Sequence, residues 1–214
     1  LNLKSFRRAA LPGVAALALT MTLAACGSDN DSNGTEAGES VDPSSLSGEL
    51  NVGGASSMES AQNAWIVGFS EAAPDVTVNY DPIGSGGGRE NFASGAFPFA
   101  GSDSYLKEEE LAGATETCTT EPIEIPAYVS PIAVIYNLEG VEDLRLSPET
   151  LGGIFAGDIK TWDDPAIAED NPDAELPAEP INPVHRSDES GTTGNFTNYL
   201  SVAAPDAWPH GEIE

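Results

Sequence analysis

Apolar and small polar residues alternate along the first half of the chain in a way that predicts a repeating order of strand, turn and helix. Residues 49–52 and 76–80 have the pattern of short β-strands, and residues 97–101 have that of a strand edge. Helices are predicted to begin after Ser57 and at about Arg89. Small polar residues follow each strand, which is where open α/β sheets place their ligands. The pattern therefore predicts an α/β fold with a ligand site at the carboxyl ends of its strands.

The second half of the chain contains the most β-like stretch, residues 121–137, which consists of two extended runs bent at Ser130 and Pro131. The elements predicted after it are a short helix over residues 151–155 opened by Ser147, irregular segments over residues 160–165 and 172–180, a strand over residues 181–184, and a helix over residues 195–200.

A loop of charged, hydroxyl and glycine residues, residues 185–193, leads into that last helix. The N–H groups of residues 190–193 are predicted to lie at the start of the helix, where unpaired donors and the helix dipole both attract anions. Arg186 adds a planar guanidinium that suits a tetrahedral oxyanion, and Asp188 could hold it in place. An N-cap beside a surface salt bridge is the alternative interpretation.

The charge of the chain restricts its partners. Its 214 residues carry a formal net charge of −27, which makes nucleic acid and anionic membrane surfaces poor partners. An anion would therefore have to be bound by local dipoles, against the field of the whole protein.

The first 25 residues have the features of a bacterial export signal. A basic start is followed by an apolar run over residues 9–19, which is too short and too interrupted for a stable membrane span. Leu23 to Cys26 resemble a lipobox, so residues 1–25 are predicted to be a lipoprotein signal peptide and Cys26 the lipidated residue. An ordinary signal peptide is the alternative. Residues 26–48 are rich in Ser, Gly, Asp, Asn and Glu and are predicted to be a disordered tether.

Common nucleotide and hydrolase motifs fail when they are tested against the sequence. No window contains a P-loop, and the dinucleotide pattern that starts at Gly84 has Arg89 where its third glycine belongs. The nucleophile-elbow pattern is absent around Ser190. No His-rich or paired carboxylate set stands out as a metal site, so no metal, cofactor or catalytic residue is predicted.

Five segments in a fixed order carry a family resemblance. They are GASS at residues 54–57, YDPIGSGGG at 80–88, FAGSD at 99–103, GDIKTWDDPAIA at 157–168 and RSDESGTT at 186–193. With them the chain resembles the PstS family, the phosphate-binding proteins of bacterial high-affinity phosphate ABC transporters, from about residue 50 to residue 200. The resemblance implies a two-lobed α/β fold of the periplasmic-binding-protein type 2 family, with a first lobe over residues 49–129 and a second over residues 130–214.

The same resemblance implies a phosphate site between the lobes. Its ligands would be Ser56, Ser57, Ser85, Asp103, Arg186, Ser190, Gly191 and Thr192, with Asp188 orienting the arginine. Ser57 stands where the family often has an aromatic residue and is expected to act mainly through its backbone N–H. Asp103 is expected to select phosphate over sulfate, because a carboxylate only accepts hydrogen bonds and sulfate has no O–H to offer. An N-cap is the alternative role for Asp103.

The function implied is that of an extracytoplasmic receptor, anchored by lipid to the outer face of the cell membrane, which delivers inorganic phosphate to ABC permease subunits. A receptor for sulfate or molybdate, a phosphate-ester hydrolase on a related scaffold and a surface adhesion protein are the alternatives. Because the family's chain returns to complete its first lobe, residues 26–214 are expected to lack part of the scaffold and to bind phosphate more weakly than micromolar. Cys118 is expected to be buried and free, or to pair outside this sequence.

Overall fold

The computed structural model describes residues 41–214. The predicted signal peptide, Cys26 and most of the predicted tether lie outside the described residues. The described part forms three β-strands and six α-helices, with single-turn 3-10 helices at Pro43–Ser45 and Ser56–Met58. In chain order the elements are β1 (Ser47–Gly54), α1 (Glu59–Ala72), β2 (Asp75–Asp81), α2 (Ser85–Ala93), β3 (Ala100–Gly101), α3 (Glu108–Cys118), α4 (Pro148–Ala156), α5 (Pro165–Asp170) and α6 (Gly191–Ala203).

The three strands form one parallel sheet in the order β2-β1-β3. β1 runs in register with β2 from the pair Ser47 and Asp75 to the pair Gly53 and Asp81. Parallel neighbours need a crossover connection, which α1 and α2 supply. All three strands therefore end at the same edge of the sheet, and the predicted α/β class is confirmed.

Two glycines allow β1 and β3 to approach each other closely at this edge. Gly54 has a φ of 138°, and a Cβ built on it would lie 1.9 Å from the carbonyl oxygen of Gly101. Only glycine adopts this backbone conformation without strain, and only glycine has the room. The GASS segment thus begins with a residue that the sheet requires.

Apolar residues from separate elements form the buried core. Val52 of β1 is 1% exposed, and Ile167 of α5 and Leu200 of α6 are fully buried. The rings of Phe155 in α4 and Phe196 in α6 meet edge to face with their centroids 4.8 Å apart. The packing of α4 on α6 fixes the second of these helices, whose first residue belongs to the predicted site.

Several predicted elements are wrong in their bounds. β1 begins at Ser47, inside the predicted tether, because its backbone pairs with Asp75 from that residue onward. α2 begins at Ser85 rather than near Arg89, since the glycine-rich segment forms the first turn of the helix and not a loop before it. Residues 165–170, predicted in part as irregular, form α5, which Asp164 caps by accepting a hydrogen bond from Ala166 N.

Two predicted strands do not form. Residues 121–137 have no regular secondary structure, because β-structure needs a partner strand and the described residues place none beside them. Residues 181–184 are also irregular. Just before them, Thr161 and Pro180 form an isolated antiparallel bridge. Ile181 N donates a hydrogen bond to Lys160 O at 2.8 Å.

Residues 41–214 cluster by their contacts as one compact unit. The predicted lobes, residues 49–129 and 130–214, therefore stay a prediction. Cys118 is exposed at the end of α3, so the first alternative, a buried free thiol, is wrong, and a partner outside this sequence stays a prediction. Among the described residues, no helix has the length and apolar character to cross a membrane.

Candidate anion-binding site

The carboxyl edge of the sheet brings together the first half of the predicted site. Ser56 and Ser57 follow β1, Ser85 opens α2 and Asp103 follows β3. The Ser57 hydroxyl donates to both carboxylate oxygens of Asp103, at 2.8 and 2.7 Å, and the Asp103 backbone N–H donates to Ser85 Oγ at 3.1 Å. Three separate turns are thus joined by hydrogen bonds at Asp103.

The start of α6 brings in the second half. Ser190 is the N-cap, and its hydroxyl accepts a hydrogen bond from Thr193 N at 3.4 Å. A Cβ added to Gly191 would lie 2.8 Å from both Asp103 Cβ and Ser85 Oγ, so the first turn of α6 lies directly against the first half. The Thr192 hydroxyl donates to Asp103 Oδ2 at 3.2 Å.

Arg186 and Asp188 form the ion pair that the sequence predicts. Arg186 Nε donates to Asp188 Oδ1 at 2.6 Å, and Arg186 Nη2 contacts Asp188 Oδ2, so the pair is bidentate. The hydrogen bonds from Arg186 hold the pKa of Asp188 below its usual value, and those same bonds raise the pKa of Arg186. Arg186 Nη2 also donates to Ser56 Oγ at 3.2 Å, which places the guanidinium beside the end of β1.

The glycine-rich segment packs against the loop that carries Arg186. Gly84 has a φ of 88°, and a Cβ on it would lie 2.5 Å from Asp188 Oδ2. Gly86 N donates to the carbonyl oxygen of Glu189 at 3.1 Å. A side chain at either glycine would push this loop away, so the small residues bring the start of α2 and the start of α6 together.

The structure therefore places all the predicted ligand residues in one continuous patch. The patch combines the N-terminal ends of α2 and α6, hydroxyl groups, one guanidinium and one carboxylate that accepts hydrogen bonds. Donors of this kind bind an anion through local dipoles and do not need a positively charged protein. The sequence-based assignment of ligands to phosphate remains a prediction.

A charge network centred on the buried Arg89 was not predicted from the sequence. Arg89 of α2 is 2% exposed and pairs with Glu110 at 3.0 Å and with Glu214 at 2.6 Å. Lys107 also pairs with Glu214, at 2.8 Å, and contacts Glu189 of the loop. Arg89 is one of only eight basic residues in the chain, but its partners are distant in sequence.

The network affects the titration of Glu214. Burial by itself would raise the pKa of this carboxyl group, but the hydrogen bonds from Lys107 and Arg89 outweigh burial and lower it to about 2. Glu214 therefore stays ionised at neutral pH, where it balances the buried guanidinium. No group of three or more His, Cys, Asp or Glu side chains within residues 41–214 is arranged to hold a metal ion.

Comparisons with known proteins identify the superfamily of the chain. A family model described as the PBP superfamily domain matches residues 34–214. Phosphate-binding protein PstS 3 of Mycobacterium leprae (strain TN) is 39% identical over 199 residues, which are 91% of this chain and 54% of the relative. Phosphate-binding protein PstS 3 of Mycobacterium tuberculosis (strain ATCC 25618 / H37Rv) is 38% identical over 195 residues, or 89% of this chain and 53% of the relative. The chain thus spans about half the length of the curated relatives it matches.

A solved structure of a possible phosphate binding protein from Planctomyces limnophilus DSM 3776 is 20% identical in sequence. The match covers 73% of this chain and 53% of that chain, with a TM-score of 0.39.

Proposed function

The chain belongs to the PBP superfamily, and from this premise we propose that it captures inorganic phosphate and delivers it to an ABC permease for import. Its activity is binding and release, with no catalysed reaction. Residues 49–129 and 130–214 would contribute one lobe each. The two relatives named as phosphate-binding proteins support this proposal.

The observation that carries the proposal is that the Asp103 carboxylate lies among several hydrogen-bond donors. Asp103 lies within hydrogen-bond distance of the Ser57 and Thr192 hydroxyls and against the first turn of α6. Helix N–H groups, hydroxyls and Arg186 would donate to the oxygens of a tetrahedral anion. Asp103 would accept a hydrogen bond from the P–OH group of mono- or dihydrogen phosphate.

The same carboxylate supports phosphate over sulfate or molybdate as the ligand. Sulfate at neutral pH has no proton to give, so its oxygen would face the Asp103 carboxylate without a hydrogen bond. In a site closed around the ligand, an unmatched pair of this kind lowers affinity by roughly 10³-fold. Molybdate, a fully deprotonated oxyanion at neutral pH, would meet the same obstacle.

The cellular setting is part of the proposal and depends on the sequence of residues 1–48. A lipid on Cys26, followed by the polar residues 27–48, would hold the binding domain at the outer face of the cell membrane. The receptor would then present phosphate to the permease subunits while its own acidic surface stays clear of anionic lipid headgroups.

A titration of the mature chain, residues 26–214, with phosphate and with sulfate tests the proposal. We expect phosphate to bind at least about 10³-fold more tightly than sulfate in the wild type. Asp103→Asn should weaken phosphate binding and narrow the ratio of the two dissociation constants, because an amide can donate where a carboxylate cannot. The control is Asp143→Asn, which alters a carboxylate that is 83% exposed and that pairs with Arg145 instead of a patch residue.

The titration extends from micromolar to millimolar ligand, so that tight and weak binding are both measured. Equal affinity for phosphate and sulfate in the wild type, or no effect of Asp103→Asn on their ratio, would contradict the function itself.

A further inference from the structure

The structure assigns a second role to Ser57: we propose that its hydroxyl is a positioning group that sets the orientation of the Asp103 carboxylate and thereby enforces the preference for protonated oxyanions. The inference rests on the phosphate-binding function proposed above. It goes beyond that function because the family resemblance implies that this position acts mainly through its backbone N–H and gives its hydroxyl no role.

The Ser57 hydroxyl is centred on the carboxylate. Its distances to the two oxygens of Asp103 differ by only 0.1 Å, at 2.8 and 2.7 Å. The backbone of Ser57 is itself held, because the Tyr128 hydroxyl donates to Ser57 O at 3.0 Å. The ring of Tyr128 packs edge to face on Trp65 of α1, with the centroids 6.0 Å apart. The donor therefore stands on a supported turn.

The main chain of Asp103 is fixed on both sides. Its N–H donates to Ser85 Oγ at 3.1 Å, and its carbonyl oxygen accepts from Asn195 Nδ2 of α6 at 2.8 Å. With the backbone held, the side-chain torsions of Asp103 are the freedom that remains. Ser57 from one side and Thr192 from the other donate to the carboxylate and restrict these torsions.

The number of acceptor sites on the carboxylate explains how this restriction affects ligand choice. Two carboxylate oxygens offer about four lone-pair sites. Ser57 brings one proton, shared between both oxygens, and Thr192 brings a second. Acceptor capacity is left for one further donor, such as a P–OH group. A sulfate oxygen, which has no proton, cannot form a hydrogen bond at this acceptor site. It would also be repelled by the Asp103 carboxylate, because Ser57 and Thr192 hold that carboxylate in place.

Removing the Ser57 hydroxyl should therefore change selectivity more than overall affinity for anions. Without the Ser57 hydroxyl, the Asp103 carboxylate can rotate and bind water. It is then less well aligned with a P–OH group, and it can move away from a sulfate oxygen. We expect Ser57→Ala to narrow the ratio of the sulfate and phosphate dissociation constants by about tenfold, the size expected for one hydrogen bond to a charged group.

The experiment compares the mature chain with three variants by titration with phosphate and with sulfate at constant ionic strength. Ser57→Ala removes the donor, Ser57→Thr retains it, and Ser70→Ala removes a matched exposed hydroxyl of α1 that donates to Val67 O at 2.7 Å. Ser57→Thr should return the ratio to within about threefold of the wild type, because the threonine hydroxyl can make the same bond. Ser70→Ala should leave the ratio unchanged. If Ser57→Ala does not fold, Ser57→Cys replaces it, since a thiol is a weak donor and should also narrow the ratio.

The outcomes separate this inference from the function on which it rests. A wild-type chain that binds neither anion overturns the phosphate-binding function and the inference together. A wild-type chain that prefers phosphate, with the same preference after Ser57→Ala or Ser57→Cys, overturns the inference alone. A narrowed ratio in Ser57→Ala that Ser57→Thr does not restore also contradicts it, because a loss of packing rather than of the donor would then be responsible.

Discussion

The carboxyl edge of the sheet and the extended segment of residues 121–137 differ in their contacts with the rest of the protein. At the edge, side chains from separate turns hydrogen-bond to one another around Asp103. The extended segment forms no strand, and its most apolar side chains lie in solvent. The exposed fractions are 85% for Ile123, 77% for Ile125, 96% for Val129 and 88% for Ile135.

The difference shows which structures can be formed from nearby residues alone. The ends of α2 and α6 use caps, hydroxyls and glycine turns that lie within a few residues of each helix start. A β-strand has no such local partner, since its N–H and C=O groups need another strand. The helix starts of the candidate site therefore form from local signals, whereas the extended segment has no partner strand among the described residues.

The largest expected effect on stability comes from adding a side chain at Gly54, where β1 and β3 approach each other closely. Gly54→Ala should lower the free energy of unfolding by about 4 kcal/mol or more, because the new Cβ would meet Gly101 O and the residue would retain a strained φ. Denaturant unfolding followed by circular dichroism measures the change. The matched control is Gly113→Ala in α3, where a Cβ meets nothing within 4 Å. That variant should be as stable as the wild type or more stable by up to about 1 kcal/mol. Similar losses in both variants would show that the close approach of β1 and β3 does not matter.

The next largest effect concerns the charge network centred on the buried Arg89. Arg89→Met should cost about 3–5 kcal/mol at neutral pH, because it leaves Glu110 and Glu214 without their buried partner. The folded pKa of Glu214, about 2, lies below its usual 4.5. Its contribution to stability is therefore present above pH 4.5 and is lost as the pH falls toward 2.

Unfolding measured between pH 2 and pH 6 tests this network directly. The wild type should lose stability across that range more steeply than Arg89→Met, which lacks one of the hydrogen-bond donors that keep the pKa of Glu214 low. Parallel pH profiles for the two proteins would contradict the assignment.

A smaller effect is expected for the guanidinium at the edge, since Arg186 is partly exposed. Arg186→Met should weaken phosphate binding by about 10- to 100-fold, the range for losing a charge-assisted hydrogen bond. Arg145→Met removes an equal charge whose side chain is 77% exposed and 3.7 Å from Asp143. If the two variants lose the same affinity in the phosphate titration, net charge and not the placing of Arg186 controls binding.

The smallest effect belongs to the extended segment. Val129→Ser should change the free energy of unfolding by less than about 0.5 kcal/mol, because a side chain already in water has little burial to lose. Ile167→Val, at a fully buried position of α5, should cost about 1 kcal/mol by comparison. A larger loss from Val129→Ser than from Ile167→Val would show that the Val129 side chain is buried in solution.

The same contrast explains how much the sequence could predict. The start of α6 at residue 191 and the Arg186 and Asp188 pair follow from local signals. The proximity of Ser57, Ser85 and Asp103 follows from the strand pattern, because parallel strands end at the same edge of a sheet. Residues 121–137 have the composition of strands, but composition does not supply a partner strand.

Contacts between distant residues were beyond local reasoning. The partners of Arg89 lie 21 and 125 residues away in the chain, and no local pattern identifies them. The role of the Ser57 hydroxyl depends on its distance to Asp103, which is 46 residues distant in sequence. Glycine turns were found by type, but only the structure shows that Gly86 forms part of α2 and lies against Glu189.

The central claim is that the patch around Asp103 binds phosphate and discriminates against sulfate. A residue-resolved NMR titration of the ¹⁵N-labelled mature chain tests it most directly, with phosphate and sulfate added separately at equal ionic strength. Phosphate should shift the amide signals of Ser85, Gly191 and Thr192 in a saturable way, while sulfate at the same concentration leaves them in place. Equal shifts with both anions, or phosphate shifts confined to residues outside this patch, would contradict the claim.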